Sequence, residues 1–143
     1  MATTTNWYTY GLYHALNGDY DIDTDTVKVM LCTSSYTPNK NMHEYRDDIT
    51  NEVEATGYTA GGLTVTNPAI SVLSNVVAFD CDDPEWTITG SLTCRYLVFY
   101  VSIGSAATDI LIGYIDLGEN VPTTDNIFRP VLNEAGLFKI TNS

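Results

Sequence analysis

Apolar and polar positions alternate along most of this chain, and the period of the alternation predicts its elements. In "TVKVMLC", Val27, Val29 and Leu31 point one way while Thr26, Lys28, Met30 and Cys32 point the other, as in a strand. Residues 92–103 run almost without a break through β-branched and aromatic side chains, which predicts a strand covered on both faces. "DILIGYIDLGEN" alternates again, with Gly113 at the place of a bulge. "AISVLSNVVAFDCDD" reads as a hairpin whose arms, residues 70–73 and 76–79, turn at Ser74 and Asn75. Shorter extended pieces fall at residues 52–55 and 63–66. "IFRPVL" and "GLFKIT" are expected to pair with one another across residues 133–136, and Pro130 marks one of them as an edge.

Only the front of the chain has a helical period. After an arm at residues 1–5, "NWYTYGLYHALNG" predicts a short helix capped by Asn6 and stopped by Gly18, although Gly11 weakens it. Tyr8, Leu12, Ala15 and Leu16 make its apolar stripe. Trp7, Tyr10 and Tyr13 fall off that stripe, so they form either a second buried face or an exposed patch for a partner. The polar segment at residues 33–49 is expected to be loop with at most one helical turn. Seven or eight strands without a helix after each exclude parallel βαβ units. The predicted fold is mainly β: an antiparallel β-sandwich or jelly-roll-like domain at residues 19–143, preceded by an arm and short helix at residues 1–18.

Composition narrows the classes of function. A chain of 143 residues is large enough for one core without a metal or disulfide staple. Eighteen acidic against six basic residues give a net charge of -12, which opposes binding to nucleic acid and to anionic membranes and favours a basic partner surface. No leader pattern and no apolar run of membrane-helix length is found, so neither a signal peptide nor a membrane span is expected. Cys32, Cys81 and Cys94 lack zinc-ligand spacing and read as buried thiols of a cytosolic product.

Candidate chemistry fails on spacing. Asp21, Asp23 and Asp25 suggest a calcium loop, but the register from Asp21 places Thr26 and Cys32 where an EF-hand needs glycine and a closing glutamate. Asp80, Asp82, Asp83 and Glu85 beside Trp86 resemble a glycosidase pair next to a sugar-stacking ring, yet four carboxylates in one loop read more simply as solvated charge. His14 and His43 adjoin no nucleophile motif. Gly57, Tyr58, Gly61 and Gly62 belong to "GYTAGG", which lacks the Lys-Ser/Thr of a phosphate loop. That segment fits positive φ angles or the close approach of another chain's backbone. No enzyme, cofactor or metal is expected.

The segments "DIDTDTVKVMLCTSSYTP", "NEVEATGYTAGG", "VVAFDCDDPEW", "LTCRYLVFY", "LIGYIDLGEN" and "AGLFKIT" resemble a family of small tailed-phage virion proteins, some of which are capsid decoration (cement) proteins. The resemblance covers roughly residues 22–141; Cys81 and Pro84 depart from its pattern and touch only a loop's shape. It implies a shell component without catalytic residues, assembled in the host cytoplasm and placed on the outer surface of the capsid. Its partners would be the major capsid protein and further copies of itself; trimers suit three-fold sites and dimers two-fold sites, with the trimer preferred. Contact is expected through Trp7, Tyr8, Tyr10, Leu12 and Tyr13, and through Gly57, Tyr58, Gly61 and Gly62. The alternatives are a tail, collar or head-fibre component, or a carbohydrate-binding sandwich in which Trp86 and its acidic neighbours hold a sugar.

Overall fold

The computed structural model describes residues 3–133 and 136–142. Its elements run β1 (Thr4–Trp7), α1 (Thr9–Asn17), β2 (Val27–Cys32), a 3-10 turn (Arg46–Asp48), β3 (Leu63–Thr64), β4 (Ala69–Leu73), β5 (Val76–Asp80), β6 (Trp86–Thr87), β7 (Ser91–Val101), β8 (Ile110–Thr124), β9 (Ile127–Phe128) and β10 (Phe138–Thr141). They form a five-stranded sheet β1-β8-β7-β2-β3, a three-stranded sheet β10-β5-β4 and the pair β6-β9. Every pairing is antiparallel. The fold is mainly β and sandwich-like, as the alternation predicts.

Strands β2 and β7 lie at the centre, paired from Val27↔Val101 to Cys32↔Tyr96, and both of their faces are buried. On one face Val27, Val29, Leu31, Leu97, Phe99 and Val101 pack toward the small sheet, where the Phe99 and Phe138 rings meet edge to face at 5.3 Å. On the other, Met30, Cys32, Val98 and Tyr100 join Tyr8, Tyr36 and Leu111 in a second cluster. Each fully buried Leu, Val or Phe contributes about 1.5–3 kcal/mol, so the double covering of these two strands dominates the stability of the sheet.

The bulge falls one residue before Gly113. Phe99 faces Gly113 and Tyr100 faces Leu111, which leaves Ile112 without a partner on β7. The Ile112 carbonyl instead accepts the Tyr8 N–H at 3.0 Å, at the entrance to α1. A Cβ on Gly11 would stand 2.5 Å from that oxygen. Gly11 therefore weakens the helix by propensity and permits it to lie on the bulge by size.

Several expectations are corrected. The front is not a free arm, because Thr4–Trp7 pairs with β8 from Thr4↔Asp116 to Trp7↔Gly113; Met1 and Ala2 lie outside the described residues. Asn6 belongs to that strand, and the N-cap position falls on Tyr8, whose side chain caps nothing. The buried face of α1 is Gly11 and His14, while Leu16 is 84% exposed. Gly18 does end the helix, at φ 82°. "IFRPVL" and "GLFKIT" do not pair with one another. β9 pairs with β6 and β10 with β5, because Phe128 meets Trp86 while Phe138 enters the main core; residues 134 and 135 of the expected turn lie outside the described residues. The strand expected at 63–66 shortens to Leu63–Thr64, and the piece at 52–55 keeps one bridge, Cys32↔Glu52.

Gly62 and Gly18 provide a test of the packing, since both have positive φ but only one is crowded. A Cβ on Gly62 would overlap the Val29 carbonyl, whereas one on Gly18 meets nothing within 4 Å. Gly62→Ala is expected to lower unfolding free energy by about 3 kcal/mol or more, and Gly18→Ala by about 1–2 kcal/mol. Urea denaturation at matched m-values measures both, and equal losses would contradict the packing described.

Candidate interaction surface

The aromatic front divides into an inner and an outer half. Tyr8 is fully buried; its hydroxyl shares a 2.7 Å hydrogen bond with that of Tyr36, which lies 2.9 Å from His43 Nδ1. Burial, with Tyr36 alongside, pushes the Tyr8 phenol far above its ordinary range. Trp7 is half-buried: its ring packs 5.3 Å from that of Phe138, and its Nε1–H donates to the Lys139 carbonyl at 3.0 Å. Leu12 is also half-buried. Trp7 and Tyr8 serve the fold, and Tyr8 offers nothing to a partner.

The outer half is a stripe at i, i+3 and i+6. The Tyr10 and Tyr13 rings stand edge to face at 6.3 Å, Tyr13 is 55% exposed, and Leu16 extends the stripe into solvent. Sequence periodicity places Leu16 on the apolar stripe with Tyr8, Leu12 and Ala15. The helix places Gly11 against the sheet instead, and this rotation turns Leu16 outward.

His14 fastens the helix beneath this stripe. Its Nδ1 lies 2.5 Å from Asp19 Oδ2 and its Nε2 2.8 Å from Glu44 Oε1, so the imidazolium donates to both carboxylates. Burial opposes the charge, but the two hydrogen bonds and the two negative charges prevail, and the ring titrates above its ordinary 6.5. Asp19 responds in the opposite direction: hydrogen bonds from His14 and Asn17 hold its carboxyl below the ordinary 3.8.

"GYTAGG" is anchored on its own chain through Tyr58, Gly61 and Gly62, while Gly57, Thr59 and Ala60 stay exposed. Gly57, Gly61 and Gly62 all take positive φ, and Gly57 packs on the Thr87 carbonyl as Gly62 does on that of Val29. The close approach is to this chain's own backbone. Tyr58 is buried; its hydroxyl donates to Glu52 at 2.5 Å and accepts the Leu31 N–H at 3.0 Å. Tyr100 donates to the Gly61 carbonyl at 2.5 Å.

The acidic segments also resolve into local structure. Asp25 accepts the Asp21 N–H at 2.7 Å, Asp82 accepts from Asn67 at 2.6 Å, and Asp83 accepts the Leu132 N–H at 2.8 Å. Among the described residues, no cluster of three or more His, Cys, Asp or Glu side chains has the geometry to hold a metal ion. Trp86 is 5% exposed, packed between Tyr58 and Phe128, so its ring presents no face for a sugar to stack on. The three thiols are buried and unbridged, and burial pushes Cys81 and Cys94 up to about 12.

One exposed apolar region carries no signal in the helical or acidic motifs. Val72, Val77 and Ile140 form a row across the three-stranded sheet on the face that buries Phe79 and Phe138, yet they are 72, 42 and 45% exposed. Residues 55–79, which contain β4, include no Asp, Glu, Lys, Arg or His. That charge-free run is the sequence signal for the region. No protein-family model, curated protein or solved structure matches the chain.

The His14 bridge has a pH signature. A folded-state pKa raised above the unfolded value gives stability that is fully present below pH 6.5 and lost as pH rises through the raised value. Asp19's lowered pKa gives stability present above pH 3.8 and lost in stronger acid. The melting-temperature difference between wild type and His14→Gln is therefore expected to be greatest between pH 3.8 and 6.5 and to shrink at higher pH. A difference that grows as pH rises above 6.5 in thermal scans would exclude the bridge.

Proposed function

We propose that this protein is a capsid decoration protein of a tailed phage, adhering to the outside of the head shell and stabilising contacts between capsomers. The reading rests on the resemblance across residues 22–141, and the outward stripe of Tyr10, Tyr13 and Leu16 is the structural observation that supports it most directly. Aromatic anchors of this kind, once desolvated against a partner, dominate binding energy. The partner is the major capsid protein, and a shell presents many copies of one site, so weak contacts act together. The net charge of -12 adds mutual repulsion between decorated particles.

The segments that carry the resemblance support an adhesive function in a second way. "DTVKVMLC" supplies the central strand β2 and "GYTAGG" packs against its backbone, so the shared residues build a frame. The stripe on α1 projects from that frame. Deleting the front would remove β1 and the buried Tyr8 as well, so substitution separates adhesion from folding more cleanly.

Tyr13→Ser combined with Leu16→Lys is expected to leave the circular dichroism spectrum unchanged and to weaken adhesion by about two to three orders of magnitude, since each lost anchor removes about 2 kcal/mol. Co-sedimentation with expanded shells that lack their decoration measures it. Wild-type occupancy by the double variant, or failure of the wild type to sediment with shells, would refute the reading.

A further inference from the structure

Strand β4 ends the three-stranded sheet, and all five of its residues are exposed. Only Ser74 and Asn75 separate Leu73 from Val76, and Ser74 takes φ 56°, as the primed hairpin turns require. The opposed pair Leu73–Val76 therefore exchanges both backbone hydrogen bonds, and so do the alternate pairs Ser71–Ala78 and Ala69–Asp80. It follows that the N–H and C=O groups of Ile70 and Val72 point to the open edge. Natural edge strands are protected by charge, proline or a bulge, and "AISVL" contains none of these.

We propose that β4 pairs antiparallel with β4 of a second copy about a two-fold axis, joining two three-stranded sheets into one of six strands. Charge selects the occupant. Copies that each carry -12 repel one another, so self-contact requires a surface free of charge. The run at residues 55–79 is the longest in the chain without Asp, Glu, Lys, Arg or His, and β4 with its turn is its longest exposed part. A basic partner would gain nothing from that patch.

The strand is also complementary to itself. "AISVL" has the same apolar pattern in both directions about Ser71, as antiparallel self-pairing demands. A register centred on Ser71 sets Ile70 of each copy against Val72 of the other, on the face that carries Val77 and Ile140. Each Val72 then lies against the other copy's Ile70, at the rim of an open cleft of about 510 Å³ whose wall also carries Trp7 and Ile22 together with Asp19, Asp21 and Asp25. Edge pairing of this kind closes with two copies, so it gives a dimer where the family resemblance prefers a trimer. The proposal does not depend on shell binding.

Sedimentation velocity of the full chain across a wide concentration range tests it. The mass is expected to rise from 15.7 kDa toward twice that value, with the dimer strengthened by salt that screens the acidic surfaces. Val72→Lys is expected to remain monomeric at every concentration with an unchanged circular dichroism spectrum. Ser71 would face its symmetry mate in a non-hydrogen-bonded pair, with Cα atoms about 4.5 Å apart, within disulfide reach. Ser71→Cys should therefore cross-link two copies on mild oxidation, and Ser102→Cys, exposed elsewhere, should not. A wild type that is monomeric at all concentrations and salts, a dimer that Val72→Lys leaves intact, or a Ser71→Cys variant that does not cross-link would each overturn the proposal. So would a monomeric wild type whose shell binding is lost on Val72→Lys, which would assign the edge to the shell protein. The Tyr13/Leu16 double variant should dimerise normally, so loss of shell binding alone counts against the decoration reading only.

Discussion

The structure depends on one constraint: strands β2 and β7 are buried on both faces, so two separate coverings must be held against them. The small sheet provides one covering through Phe79 and Phe138. The second cluster, on the opposite face, brings Tyr8 and Tyr36 over Met30, Cys32, Val98 and Tyr100. Neither covering is a long regular element. Each is fixed by a few close approaches, where a backbone without a Cβ meets a carbonyl or a buried tyrosine satisfies a distant polar group.

That arrangement explains where the glycines and tyrosines fall. Gly11 lets α1 lie on the bulge at Ile112, and Gly62 lets its loop reach the Val29 carbonyl. Tyr58 and Tyr100 hold the same loop by accepting from Leu31 and donating to Gly61. A buried hydroxyl left unpaired costs about 1–3 kcal/mol, so these tyrosines specify one arrangement of loop and strand as well as adding apolar area. Among described buried side chains that are not exposed, no nitrogen or oxygen is left without a partner.

The surface is then divided by charge. Its net charge of -12 favours separation of molecules, and its exposed apolar places include the stripe on α1 and the edge at β4. The two lie on different elements, so adhesion to a shell and pairing between copies would draw on separate surfaces.

The sequence by itself determined the β class, the central strand with its two apolar faces, the hairpin turning at Ser74 and Asn75, and the stop at Gly18. All of these depend on periods and turn chemistry within a few residues. It also carried, in the uncharged run at residues 55–79, a sign of the exposed edge. Only the tertiary structure decided that β1 joins the sheet, that Leu16 faces outward and Tyr8 inward, that "GYTAGG" packs on its own chain, and that β9 and β10 have different partners. Hydrophobicity along a chain records that a side chain is shielded. What shields it is set by contacts between residues far apart, such as Gly11 with Ile112 or Phe138 with Phe99, and a local pattern holds no record of those.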